Sequence, residues 1–183
     1  MANLYQAALA DLSAVFDKID DAAVDAVVAE LAGARRVAFY ACGREGLQLR
    51  GFCMRMFHLG RTVTMVGDMT AFPVGPGDIL FVVCGPGYVS THHALVGVAK
   101  EAGARTIVVT AQPSGATARL ADAVLLLPAQ TMADDQGAKV SILPMGSVME
   151  GALFVLFEVM VLKLRDRLGV TPETMRANHT NLE

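Results

Sequence analysis

"DILFVVCGPGYVSTHH", residues 78–93, opens on an unbroken apolar run from Ile79 to Cys84. A continuous run of this kind, without polar alternation, is the mark of a strand covered on both faces. Gly85 and Gly87 then bound a tight turn, and Ser90 to His93 begin a helical pattern that stops at Gly103. Strand, glycine turn and helix together make half of a βαβ unit, a place where loop amides and a helix N-terminus usually cradle an anion. Such turns are normally rich in serine and threonine. This one presents Cys84, Pro86, Tyr88 and Val89 before Ser90 and Thr91.

The same alternation extends in both directions. RVAFYACG (36–43), RTVTMVG (61–67), TIVVTA (106–111) and AVLLLPA (123–129) read as further strands, separated by helical patterns at 44–60, 90–102 and 114–121. Strands near 37–41, 62–66, 79–84, 106–110 and 124–127 predict an α/β fold. It is a three-layer αβα sandwich on a five-stranded parallel sheet, flavodoxin-like in its winding. Residues 3–32 carry helical spacing broken at Asp20-Asp21, which predicts two N-terminal helices. Residues 130–142 are polar and irregular, Gly146 to Arg167 is a long apolar helix, and TPETM starts a short helix in the tail at 168–183. One domain spanning 1–183 follows. The doubly wound pattern places the ligand outside the carboxyl ends of the strands, at ACGREG (41–46) and CGPGYVST (84–91).

The chain has 183 residues, of which 54% are hydrophobic and only 18% charged, against a usual ~25% charged. So apolar a surface implies subunit contacts, and an oligomer is expected. A net charge of −3 argues against an electrostatically driven nucleic-acid partner. The adjacent Arg35-Arg36 reads as a solvated helix end before a strand. Three cysteines without a CxxC pair imply no disulfide framework. The amphipathic start carries Asp rather than a basic leader, and the apolar run at 151–162 stops at Lys163, too short for a bilayer. A soluble, cytoplasmic protein with no membrane partner is expected.

CGREG, FCMRMFHLG (52–60), VGD (66–68), GDILFVVCGPG, ARLADAVLLLPA, LPMGSVME (143–150) and NHTNLE (178–183) together resemble the sugar isomerase (SIS) domain family. Within it the chain is most similar to the 6-phospho-3-hexuloisomerases, and the resemblance covers essentially the whole sequence. It implies an enediol isomerisation between a 3-keto hexulose phosphate and fructose 6-phosphate, in a homotetramer, with neither metal nor cofactor. It also implies Glu150 as catalytic base, His58 in ring opening or positioning, and a C-terminal tail that brings His179 to a neighbouring subunit's site. Loop hydroxyls and amides would hold the phosphate. Here the pattern departs: Glu45 stands where the first loop of the family carries a serine. Cys84, Pro86 and Val89 stand in place of two serines and a threonine. A carboxylate at 45 repels a phosphate by roughly 1 kcal/mol in water and several-fold more when partly desolvated.

The residues themselves leave alternatives open. Glu150 is a candidate base, yet Ser147 three residues earlier also fits the S-x-x-E capping box. His58, on a helix rich in Met and Phe, is either catalytic or a satisfied core histidine. His92 or His93 opens a helix beside the loop and either replaces the missing hydroxyls or starts a helix at an interface. Arg44 is placed to meet an anionic ligand or to pair with Glu45. Gly43, Gly85 and Gly87 let backbone approach a ligand, while Tyr88, Ser90 and Thr91 are the remaining groups able to bond a polyol. Cys42, Cys84, His92 and His93 lack a recognised metal-ligand spacing, so no metal is expected. The function expected is a keto-sugar isomerase. Its rivals are an isomerase for an unphosphorylated or otherwise acidic sugar and a non-catalytic sugar-binding module.

Overall fold

The structure, a computed structural model, describes residues 3–137 and 141–182. The sequence-predicted segments reaching residues 1, 2, 138–140 and 183 lie to that extent outside the described residues. Two helices, α1 (Leu4–Phe16) and α2 (Asp21–Gly33), lead into an alternating series. It runs β1 (Arg36–Tyr40), α3 (Gly43–His58), β2 (Val63–Met65), β3 (Asp78–Val83), α4 (Ser90–Glu101), β4 (Arg105–Thr110), α5 (Ala116–Leu120) and β5 (Ala123–Leu126). The long α6 (Ser147–Leu168) and the short α7 (Pro172–Ala177) follow. All neighbouring strands pair in parallel, in the order β2-β1-β3-β4-β5. The break near Asp20 is a helix start: its carboxylate accepts the backbone N–H groups of Ala22 and Ala23.

The central β3 explains why its sequence lacks alternation, since every one of its residues is buried. Ile79, Phe81 and Val83 face the layer formed by α1, α2, α3 and α6, while Leu80, Val82 and Cys84 face α4 and α5. In the larger core, Phe52 of α3 stacks on Phe157 of α6 with ring centroids 4.6 Å apart and planes 8° from parallel. Both rings meet Phe81, and Phe39 adds edge contacts from β1. α7 packs back on α3 within the same chain. No helix among the described residues is long and apolar enough to cross a membrane.

The Arg35-Arg36 pair is not a solvated helix end. Both guanidiniums close on the carboxylate of Asp78, whose side chain is fully buried at the start of β3, with N···O contacts of 2.8 Å. The Gly75 N–H adds a third donor at 3.0 Å. A buried carboxylate is tolerated only when saturated in this way. The PVGPGD turn supplies that geometry, which tethers the N-terminal end of β3 to that of β1. These donors, led by Arg35 and then Arg36, hold the Asp78 carboxyl well below the usual carboxylate range. The folded chain therefore keeps Asp78 ionised where the unfolded chain already binds a proton. The stabilisation is complete above the ordinary aspartate value of about 4 and is lost progressively as pH falls below it. Asp78→Asn should cost about 3–5 kcal/mol at neutral pH, read from urea unfolding at pH 7. The deficit relative to wild type should shrink when the same measurement is made near pH 3.

Candidate functional site

In this strand order the winding reverses between β1 and β3, and the crevice there opens at their carboxyl ends. A cavity of about 260 Å³ occupies it. One wall is Cys42 to Glu45 at the start of α3, and another is Pro86, Val89 and His92 from the β3–α4 connection. Met149 and Glu150 from the first turn of α6 face them, and Thr131, Met132, Met145 and Gly146 complete the enclosure. Of these, Thr131 and Met132 come from the 130–142 stretch that read only as irregular and polar, and Met145 and Gly146 from the LPMGSVME segment. Gly146, read from the sequence as the first residue of the long helix, has φ 74° and is so tightly placed that a Cβ would lie 2.8 Å from the Met132 amide nitrogen.

Gly146 also changes the reading of α6. It caps the helix with a left-handed backbone, so Ser147 is the first helical residue and no side chain caps this end. The S-x-x-E capping box is absent. Glu150 turns instead to Arg44, whose Nε donates to Oε2 at 2.5 Å across 106 residues of sequence. Arg44 thus pairs with Glu150 rather than with Glu45.

Glu45 takes a different partner. Its Oε2 accepts the N–H of Gly85 at 3.2 Å. Oε1 lies so close that a Cβ on Gly85 would sit 2.2 Å from it. Burial pushes the Glu45 carboxyl up, the Gly85 N–H opposes this, and the Glu150 carboxylate nearby adds to the rise. Gly46, which follows, lets the first turn of α3 pass within contact of the Ala41 carbonyl, where a Cβ would lie at 2.9 Å.

Beneath the loop, Cys84 is buried on the α4 side, and the amides of Gly87 and Val89 face its sulfur. Burial and the Glu45 carboxylate raise its thiol to about 11, so it is a neutral, inert group. Gly87, at φ 76°, supports the turn, with its carbonyl accepting Thr117 N–H and its α-carbon against Gln112 and Gly115. His92 is buried with its ring edge-on to Tyr40 at 4.8 Å. Burial lowers its pKa against the pull of the Val83 backbone, which leaves a neutral imidazole at the cavity wall. His93 turns toward Tyr88, the ring centroids 5.7 Å apart. Tyr88, Ser90 and Thr91 are exposed and form none of the cavity wall, nor does the half-buried Ser147.

His58 and His179 stand apart from this cavity. α3 carries Arg44 in its first turn and His58 in its last, which at 1.5 Å per residue places them roughly 20 Å apart. The two histidines face each other with centroids 5.2 Å apart, and the Asn178 side chain donates to the His58 carbonyl at 2.9 Å. Arg55 and Arg176 join them around a second cavity of about 240 Å³. No group of three or more His, Cys, Asp or Glu converges as a metal site among the described residues.

Residues 30–155 match the model of the SIS domain. The chain belongs to the SIS domain family. A Mycobacterium gastri protein named 3-hexulose-6-phosphate isomerase is 37% identical over 91% of this chain and 83% of its own length. A Methylomonas aminofaciens protein of the same name is 35% identical over 87% of each. Among solved structures, a Methanococcus jannaschii protein with inferred 3-hexulose-6-phosphate isomerase function superimposes with a TM-score of 0.80. It is 22% identical, and the match covers 98% of this chain and 97% of that one. That likeness establishes the SIS fold, with its five-stranded parallel sheet between helical layers.

The two loop glycines differ in what they tolerate. A Cβ at Gly87 would lie 2.5 Å from the Gln112 carbonyl and on a positive φ, whereas at Gly85 it meets chiefly the tip of the Glu45 side chain. Gly87→Ala should therefore destabilise the fold by about 1–3 kcal/mol. Gly85→Ala should cost less while expelling Glu45 from the loop amide, as thermal melts of both variants and a structure of Gly85→Ala would record.

Proposed function

We propose that this SIS chain is an isomerase that moves a carbonyl between adjacent carbons of a keto-sugar through an enediolate, with Glu150 as the proton shuttle. The observation that carries the reading is a carboxylate at the first turn of α6, facing the crevice cavity and fixed by Arg44. From a 3-keto hexulose the carboxylate takes the proton on C2, and that electron pair becomes the C2–C3 double bond as charge moves to the C3 oxygen. Returning the proton to C3, with transfer of the O2 proton to O3, leaves the carbonyl on C2. The two carbons are neighbours, so one carboxylate serves both. Arg44 spends only Nε on Glu150, and its remaining N–H groups are available to the developing oxyanion. Relatives named 3-hexulose-6-phosphate isomerase support this chemistry.

His58 and His179 belong to the same reading as groups delivered from a neighbouring subunit, because within one chain they lie about 20 Å away along α3. We propose a cytoplasmic homo-oligomer, with a tetramer favoured. Exposed Leu47, Met54 and Phe57 on α3 and Phe154 and Leu162 on α6 offer an apolar surface for that contact.

Glu150→Gln should abolish deuterium exchange at the carbon next to the carbonyl when fructose or fructose 6-phosphate is incubated in D2O. The expected loss is about 10²–10⁴-fold, and unchanged exchange would remove Glu150 from the role. Glu150→Gln chains co-refolded with His179→Ala chains should regain activity that neither homo-oligomer shows. Failure to complement would place the histidines outside the neighbour's site.

A further inference from the structure

α4 meets the crevice with its amino end. Val89, which caps it, and His92, in its first turn, are both in the cavity wall. The His93 N–H bonds back to the Val89 carbonyl at 2.9 Å, so the amides ahead of it point past the helix end, where an anion is favoured. His92 adds a titratable group to that end. It is only 1% exposed, yet its ring reaches the cavity. Tyr40 of β1 packs edge-on against the ring, and Tyr40 Oη shares a hydrogen bond of 3.2 Å with Cys42 Sγ. On α4 itself, Nδ1 lies 3.5 Å from the Thr91 hydroxyl oxygen, while His93 turns to Tyr88. From β3 the Val83 backbone draws on the ring, and the Cys84 thiol that follows is neutral. Arg44, Glu45 and Glu150 face it from the other walls.

We propose that His92 binds the phosphate of a sugar phosphate by taking up a proton: neutral in the free protein, it becomes an imidazolium paired with the bound phosphate. This rests on the isomerase reading for the class of ligand and names the side chain that receives its charged end. A neutral imidazole offers one N–H and one bare nitrogen. If the phosphate arrives as a monoanion, its P–O–H proton passes to that nitrogen and leaves a dianion. If it arrives as a dianion, the ring takes the proton from solvent. Either way one N–H bond forms, and the opposite charge at contact holds the proton against the cost of burial. The α4 amides and the N–H groups that Arg44 does not spend on Glu150 then share the remaining phosphate oxygens. Proton and phosphate favour each other's binding. Affinity therefore rises as pH falls from about 8.5 to 7, where the phosphate itself, with a second pKa near 6, is already a dianion.

The full chain and its His92→Gln and His92→Asn variants can be titrated calorimetrically with fructose 6-phosphate, inorganic phosphate and fructose. Each titration is run in two buffers of different ionisation heat, which reads the protons taken up on binding. At neutral to slightly alkaline pH, wild type should take up most of a proton per site more than either variant with both phosphate probes. The variants should lose roughly tenfold in affinity for those probes, a loss that narrows as pH rises, and should bind fructose as wild type does. Two variants keep the test available if one fails to fold, as circular dichroism melts would show. Equal proton uptake by wild type and a folded variant, a loss of affinity that fructose shares, or a wild type that binds neither phosphate probe overturns the proposal. The titrations need no turnover, so a failure of Glu150 as proton shuttle would appear in the exchange experiment alone.

Discussion

A parallel strand buried on both faces has no side chain to spare for a ligand, and β3 is such a strand from Asp78 to Val83. Its chemistry is displaced to its two ends. At the N-terminal end the buried carboxylate of Asp78 gathers Arg35, Arg36 and the Gly75 amide, which fixes β3 beside β1. At the other end the strand runs out into Cys84 and Gly85, where the winding of the sheet reverses and the crevice opens. The site exists because the strand cannot host it anywhere else.

Around that opening, charge is distributed with economy. Glu150 and Arg44 neutralise each other at the head of α6, and Glu45 is held by one backbone amide. His92 is neutral through burial and Cys84 is a protonated thiol. The cavity so formed is mostly apolar, with a few oriented polar groups. Two carboxylates thus meet the crevice, Glu150 fixed by a guanidinium and Glu45 by a backbone amide.

Most of the architecture was legible in the sequence because its signals are local. Unbroken apolar runs announced strands covered on both faces, and glycine stops and the acidic break at Asp20-Asp21 announced helix ends, to within a residue or two. What could not be read was pairing across distance. The fork of two arginines on Asp78 joins residues some forty positions apart, and its RR signature resembles any solvated pair. The same holds for Arg44 and Glu150, and here local logic misled. S-x-x-E fits a capping box, but a left-handed Gly146 shifted the helix start by one residue and freed the carboxylate. The wall formed by Thr131 and Met132 had no periodic signal at all. His58 and His179 were singled out by resemblance, and the fold brings them to each other rather than to Glu150.

The Phe52–Phe157 stack has a consequence for how such a site changes over time. Phe52 lies about two turns along α3 from Arg44, and Phe157 about two turns along α6 from Glu150. The two rings, nearly parallel at 4.6 Å and wedged against Phe81, bolt together the two rods whose tips carry the ion pair. The spacing of those tips is thus set by the hydrophobic core, not by the turn after β3. Mutation can rewrite that turn residue by residue without shifting the spacing of the ion pair.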